Sequence, residues 1–213
     1  MSIKKGEIKA FILILISFAV GLYFFPLLPE KVASHWNAQG QVNGYLPKFW
    51  GAFLMPVISL GLLLIFMLIP RIDPKKENIK KFRKYFDDFI ILIFIFLLYL
   101  HILTILWNLN YAFNFTQALL PAFVVLFYFI GVLIAKAQPN WSIGIRNPWT
   151  LSNTVVWQKT HQLGGKLFKI SALIGLIGLI FGNLAIWFMI LPLLISVLIV
   201  TVYSYVIYKQ ETK

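Results

Sequence analysis

The chain has 213 residues, of which 60% are hydrophobic and 12% charged, and its mean hydropathy is +0.84. Soluble domains carry roughly 25% charged residues, so this composition excludes an ordinary soluble fold and points to an integral membrane protein. The absence of cysteine excludes disulfides, thiolate metal sites and cysteine nucleophiles, and the net charge of +12, set among long uncharged runs, reads as the positive-inside bias of a membrane protein rather than as a nucleic-acid surface.

Lys4, Lys5 and Lys9 precede an uncharged run over residues 10–29. The run continues past Ala19-Val20-Gly21, a loose match to a signal-peptidase site, and is long enough to span, so it is expected to be retained as a first helix. Residues 30–48 form a polar segment punctuated by Gly40, Asn43-Gly44 and Pro47, which predicts a compact loop presenting Trp36 and Tyr45 to an external ligand. A second run covers 49–70 and contains Pro56, which removes a backbone donor inside the span.

Residues 71–84 hold seven bases against Asp73 and Glu77. Asp87 and Asp88 open the third run, which extends to about Trp107, and Arg83 and Lys84 precede them at i,i+4 helical spacing. An uncharged loop over 108–116 leads to a fourth run, 117–135. After the segment 141–165 come a short fifth run, 167–181, a Gly182-Asn183 turn and a long sixth run, 184–207. With the N-terminus cytoplasmic, all of the 19 basic residues except Lys31 and Lys48 fall on the inner side.

The expected fold is therefore all-α: a polytopic bundle of six transmembrane helices with both termini inside, in the plasma membrane. One domain, 1–213, divides into a two-helix module (1–70, with its outer loop 30–48), a central helix pair (71–135) and a C-terminal part with a helix pair (136–213). Ser17/Gly21, Ser171/Gly175 and Gly178/Gly182 are spaced for close helix approach. Trp36, Trp50, Trp107 and Trp187 sit at the outer level and Trp141, Trp149 and Trp157 at the inner, as an aromatic belt requires.

Chemistry-bearing residues are few. His35 with Glu30 gives too few ligands for a metal, and no cofactor motif, nucleophile elbow, zincin motif or phosphate loop is present, so no catalytic residue and no enzyme activity are expected. His101, Asp87 and Asp88 are the ionisable groups of the third span and support an alternative function, a small-solute or proton-coupled transporter or a lipid-handling protein. In the inner segment, Pro148 follows Asn147 and Ser152 is a candidate N-cap, which predicts an interfacial amphipathic helix before the fifth span. Val156, Thr160, Leu163 and Leu167 form one face, Trp157, His161 and Gly164 an adjoining stripe, and Ser152, Lys159 and Gln162 point elsewhere. Arg146 suits a phosphate or carboxylate ligand, and equally an anchoring contact to a lipid phosphate or a carbonyl.

Two stretches carry a resemblance. LPEKVASHWNAQGQVNGYLPK, residues 28–48, and IGIRNPWTLSNTVVWQKTHQLGGKLF, residues 143–168, resemble the SdpI-type immunity protein family. The second is its signature, matched at Gly144, Arg146, Pro148, Trp149, Thr150, Leu151, Trp157 and His161, with Asn147 where Thr is common. The first is its outer-loop module, matched at Pro29, His35, Trp36, Asn37, Gly40 and Gly44. The resemblance implies a multi-pass membrane protein without catalytic residues. It implies protection of the cell from a secreted peptide toxin outside and, in one branch, retention of a small DNA-binding repressor at the cytoplasmic face.

Overall fold

A computed structural model describes residues 5–212; Lys4 and Lys213 of the expected inner charge set lie outside the described residues. Six long helices carry the fold: α1 (Lys5–Phe24), α2 (Lys48–Ile72), α4 (Arg83–Asn108), α5 (Phe115–Lys136), α7 (Thr154–Ile177) and α8 (Trp187–Glu211). Each is long and apolar enough to cross a membrane, and their outward surfaces are apolar, as with Leu194, Ile195 and Leu198 on α8. Such residues would be unstable against water and are at home against lipid. Two short helices, α3 (Lys76–Lys81) and α6 (Pro148–Ser152), lie in the connections at the basic end. The chain is an all-α multi-pass membrane bundle.

The helices sort into two groups. α1 packs on α2 and α4; α5 packs on α7, which packs on α8; α4 and α5 join the groups. The first group buries Ala10, Ile14, Phe86, Ile90 and Phe94, the second Leu120, Val124, Ala172, Met189 and Leu193. Of the small-residue spacings read from the sequence, a Cβ at Gly21 would meet the Ala52 carbonyl oxygen at 2.7 Å and one at Gly175 would meet Met189 at 2.4 Å, whereas Gly182 has only Gln117 Nε2 at 3.9 Å and makes no close approach.

α5 and α7 approach closely at a pair of glycines that no spacing within one helix singles out. A Cβ added to Gly165 would meet the Gly131 carbonyl oxygen at 2.6 Å, and one added to Gly131 would meet the Gly165 carbonyl oxygen at 2.8 Å. Backbone can come this close only without side chains. Gly165→Leu is therefore expected to separate α5 from α7 and destabilise the protein by about 1–3 kcal/mol or more. Gly61, with nothing within 4 Å of its added Cβ, should tolerate Ala with a gain of up to ~1 kcal/mol. Thermal unfolding of both variants in detergent, read by size-exclusion fluorescence, checks the contrast.

The loop at 30–48 is a β-hairpin, β1 (Lys31–Trp36) antiparallel to β2 (Val42–Pro47), with a register irregularity beside His35. Sequence reading anticipated a compact loop but no strands. Val32 and Ala33 are fully buried, and Val32 seats on Gly51 of α2, where any Cβ would come within 2.4 Å of it. Asn108, at the C-terminal end of α4, accepts from the Ala33 N–H at 2.7 Å and donates to the Ala33 carbonyl at 3.0 Å. Its side-chain amide occupies the edge of β1 as a third strand would.

The fifth span departs from expectation at its start. Ser152 is not its cap. Asn153 is, accepting from the Val155 and Val156 N–H groups, and the helix runs unbroken from Thr154. The expected interfacial helix is thus the first turns of α7 itself, preceded by the single-turn α6. This also resolves the shortness of the apolar run: with the 3-10 turn that follows it, the segment Thr154–Ile180 is 27 residues long, while Lys159, Gln162 and Lys166 remain exposed near its basic end.

Candidate functional site

The segment between α5 and α7 folds as a cap over the basic end. Asn140, 1% exposed, accepts the Ser142 and Ile143 N–H groups through Oδ1 and donates to the Ile143 and Gln138 carbonyls. Asp73, 3% exposed at the end of α2, accepts the Trp141 N–H at 3.0 Å and the Ser142 hydroxyl at 2.6 Å. Asn78 of α3 donates to the Pro139 carbonyl at 2.8 Å. The loop is thereby tied to the α2–α3 connection by side chains from both.

Gly144 turns the cap down onto α7. Its φ is +121°, and a Cβ there would lie 2.4 Å from His161 Nε2, so the position excludes any other residue. The space is taken by His161, which donates from Nδ1 to the Trp157 carbonyl at 2.8 Å and accepts the Ile145 N–H at Nε2 at 2.9 Å. These two bonds define a neutral imidazole of one tautomer. Trp157 stacks on it with ring centroids 3.9 Å apart and donates from its indole to the Ala137 carbonyl at 2.9 Å.

The next residues start α6. Asn147 accepts the Thr150 N–H while the Thr150 hydroxyl accepts the Asn147 N–H, a reciprocal capping box with Pro148 as first helical residue. The Asn147 amide also donates to Ser204 of α8 at 2.8 Å, which gives the Asn at this position a specific use. Thr150 is buried, Leu151 packs against the core of the first helix group, and Trp149 lies 5.2 Å from Tyr205.

The eight signature residues are therefore brought together, but most of them act as structure. Trp157, expected as an interfacial anchor, is 1% exposed; the cap folds over it, which periodicity along the helix cannot reveal. Arg146 is the exception. It is exposed, and its guanidinium donates to the Trp141 carbonyl, leaving further N–H donors of its fork at the surface.

At the opposite end the outer-loop residues divide. Pro29 is exposed ahead of β1. His35 is exposed and bonds Asn43 across the hairpin. Asn37 accepts the Gln39 and Gln41 N–H groups and shapes the turn. Gly40 has φ +80° beside the Asn114 side chain, and Gly44 faces the His35 Cβ at 3.0 Å. Trp36 is not presented outward. It lies flat on Phe115 at 3.7 Å and edge-on to Trp107, while Tyr45 is exposed. Among the described residues no three His, Cys, Asp or Glu side chains gather as metal ligands.

Ionic contacts gather beside the cap, at the basic end. Glu7, which the sequence did not single out, bridges Arg71 at 3.1 Å and Arg83 at 3.2 Å, and Arg83 also holds Asp87 at 2.6 Å, the i,i+4 pair expected. A lone acid within the basic flank of the first apolar run was the available signal. At the surface, the ammonium of Lys80 beside Glu77 holds that carboxyl below its usual range.

Comparison with known proteins bears on both ends. Residues 12–60 match the Domain of unknown function (DUF1648) and residues 136–204 match the SdpI/YfhL protein family. The chain is 26% identical over 208 residues to the Immunity protein SdpI of Bacillus subtilis (strain 168), covering 97% of each chain. No solved structure matches.

Proposed function

We propose that this chain, a member of the SdpI-type immunity protein family, confers tolerance to a secreted peptide toxin without catalysis and reports the encounter by holding a small DNA-binding repressor at its cytoplasmic face. The observation that carries the reading is the likeness to an immunity protein along 97% of both chains. It includes both the hairpin end and the cap. The architecture suits such a role. The hairpin rests on α2 and α4, and the cap is bonded to α2, α3, α7 and α8, so a shift among the helices would reach it. Arg146, exposed on the cap with N–H donors of its guanidinium to spare, is a side chain able to take a partner's carboxylate.

The test uses toxin-sensitive cells challenged with supernatant from a toxin-secreting relative. Cells expressing the chain should grow where controls stop, and equal growth arrest would sink the immunity reading. Arg146→Ala should keep tolerance and expression but lower repressor recovery in the membrane fraction at least tenfold, as removal of one member of an interfacial charge pair does. Unchanged recovery would remove the reporting role from this face.

A further inference from the structure

Between the first turns of α1 and α4 lies a recess of about 380 Å³. Gly6 forms part of its wall, and a Cβ added there would meet the Asp87 Cβ at 3.0 Å. The missing side chain lets the two helices close and brings their flanking charges to one place. Lys5 and Lys9 line the recess from α1, Lys84 and Asp88 from α4. All four are exposed, and among the described residues none of them has an ion pair or a hydrogen bond. Asp87, also at the wall, is already held by Arg83 at 2.6 Å. Three free ammoniums therefore stand against one free carboxylate, and the recess is net positive.

The surface that continues from the recess decides which anion suits it. On α1, Lys5, Lys9, Ile12 and Ile16 follow one another at i, i+4, i+7 and i+11, and on α4 Lys84, Asp88, Ile91 and Ile95 do the same. Each helix thus carries one stripe that is charged at its start and apolar beyond. Ile12, Ile16 and Ile95 are exposed and Ile91 lines the recess. Both helices begin at the basic end and pack on each other, so the two stripes run together from the recess into the span. A soluble anion or a partner's carboxylate would use the charges and leave the isoleucines idle. A phospholipid uses both, with its phosphate at the ammoniums and its acyl chains on the apolar stripes. A zwitterionic headgroup carries its own cation into a positive recess, so an anionic one gains more.

We propose that this recess seats one anionic phospholipid of the inner leaflet, its phosphate among Lys5, Lys9 and Lys84 and its acyl chains along Ile12, Ile91 and Ile95. A glycerol headgroup also brings hydroxyl donors to Asp88. The bound lipid joins α1 to α4 at the end where Glu7 already bridges to Arg83. The seat is independent of whatever meets the hairpin or the cap.

The test titrates the purified full chain in detergent with dioleoylphosphatidylglycerol, dioleoylphosphatidylethanolamine or dioleoylphosphatidylcholine and weighs the complexes by native mass spectrometry. The first phosphatidylglycerol should bind about tenfold more tightly than either other lipid. Lys9→Gln and Lys84→Gln should each weaken that binding about fivefold, the worth of one lysine near an anionic surface. Lys76→Gln on α3, an exposed lysine outside the recess, removes the same charge and should leave the binding unchanged. The recess lysines are exposed and unpaired, so their replacement spares the fold, and unchanged size-exclusion profiles check this. Equal affinity for the three lipids, or an equal loss from Lys76→Gln and Lys9→Gln, would reveal diffuse attraction to a basic end and overturns the seat. Displacement of the lipid by glycerol 3-phosphate at the lipid's own concentration overturns it too, because that anion has the charge without the acyl chains.

Discussion

Gly144→Val is expected to prevent the cap from seating on α7. Two independent effects add. The backbone at φ +121° is a conformation that residues with a side chain rarely adopt, and such strain amounts to about 1–3 kcal/mol. The new Cβ would also stand 2.4 Å from His161 Nε2, forcing apart the bond from the Ile145 N–H and leaving two buried polar groups unpaired, a further ~1–3 kcal/mol. The imidazole cannot retreat, because Trp157 stacks on one face and its Nδ1 is committed to the Trp157 carbonyl. The expected result is a loss of folded, monodisperse protein or a sharply lowered unfolding midpoint. A double-mutant cycle isolates the cause. In a His161→Ala background the severest contact disappears and only the Trp157 ring at 3.3 Å remains, so Gly144→Val should be milder there than in the parent chain. Strict additivity would show that the glycine acts through backbone conformation alone.

That coupling explains why the signature was legible as a motif and illegible as a structure. Gly144, Arg146, Pro148 and His161 stand out in the chain because they are costly or unusual choices in a membrane loop. Their spacing says nothing of a contact between residue 144 and residue 161, which requires α7 to begin at Asn153 and the loop to fold back over it. Ser152 and Asn153 are both good caps, and the choice between them was made by α6, whose single turn ends at Ser152. The burial of Trp157 has the same origin: an amphipathic stripe marks a buried face without saying whether lipid or protein covers it.

The six spans were readable because length and lack of charge suffice to define them. The hairpin was not, since each strand has only six residues. What stabilises it lies far off in the chain: Gly51 beneath Val32 and Asn108 bonded to Ala33. Isolated hairpins are marginal in water, and this one is made by the helices beneath it. The close α5–α7 approach joins Gly131 and Gly165 on different helices, beyond the reach of any spacing rule.

Glu7→Gln should destabilise the bundle by about 3–5 kcal/mol, the amount typical when one partner of a buried ionic cluster is removed. The carboxylate is 1% exposed and meets Arg71 from the end of α2 and Arg83 from the start of α4, each 19% exposed. It thus holds three helices at their basic ends. Gln preserves shape and some hydrogen bonding but not charge, so two guanidiniums would face each other across a poorly hydrated gap, with Asp87 compensating only Arg83. The measurement is the unfolding midpoint in detergent at low and high salt. Because shielded pairs are screened little, added salt should not restore it. Glu77→Gln, which breaks a pair exposed by 69% and 70%, should leave the unfolding midpoint unchanged. Adding Arg83→Gln to Glu7→Gln should recover part of the loss by removing the like-charge contact. If instead Glu7→Gln is neutral, the cluster is held by packing around Phe82 and Phe86 rather than by charge. The N-terminal helix would then be fixed by its apolar face, Ala10 and Ile14, alone.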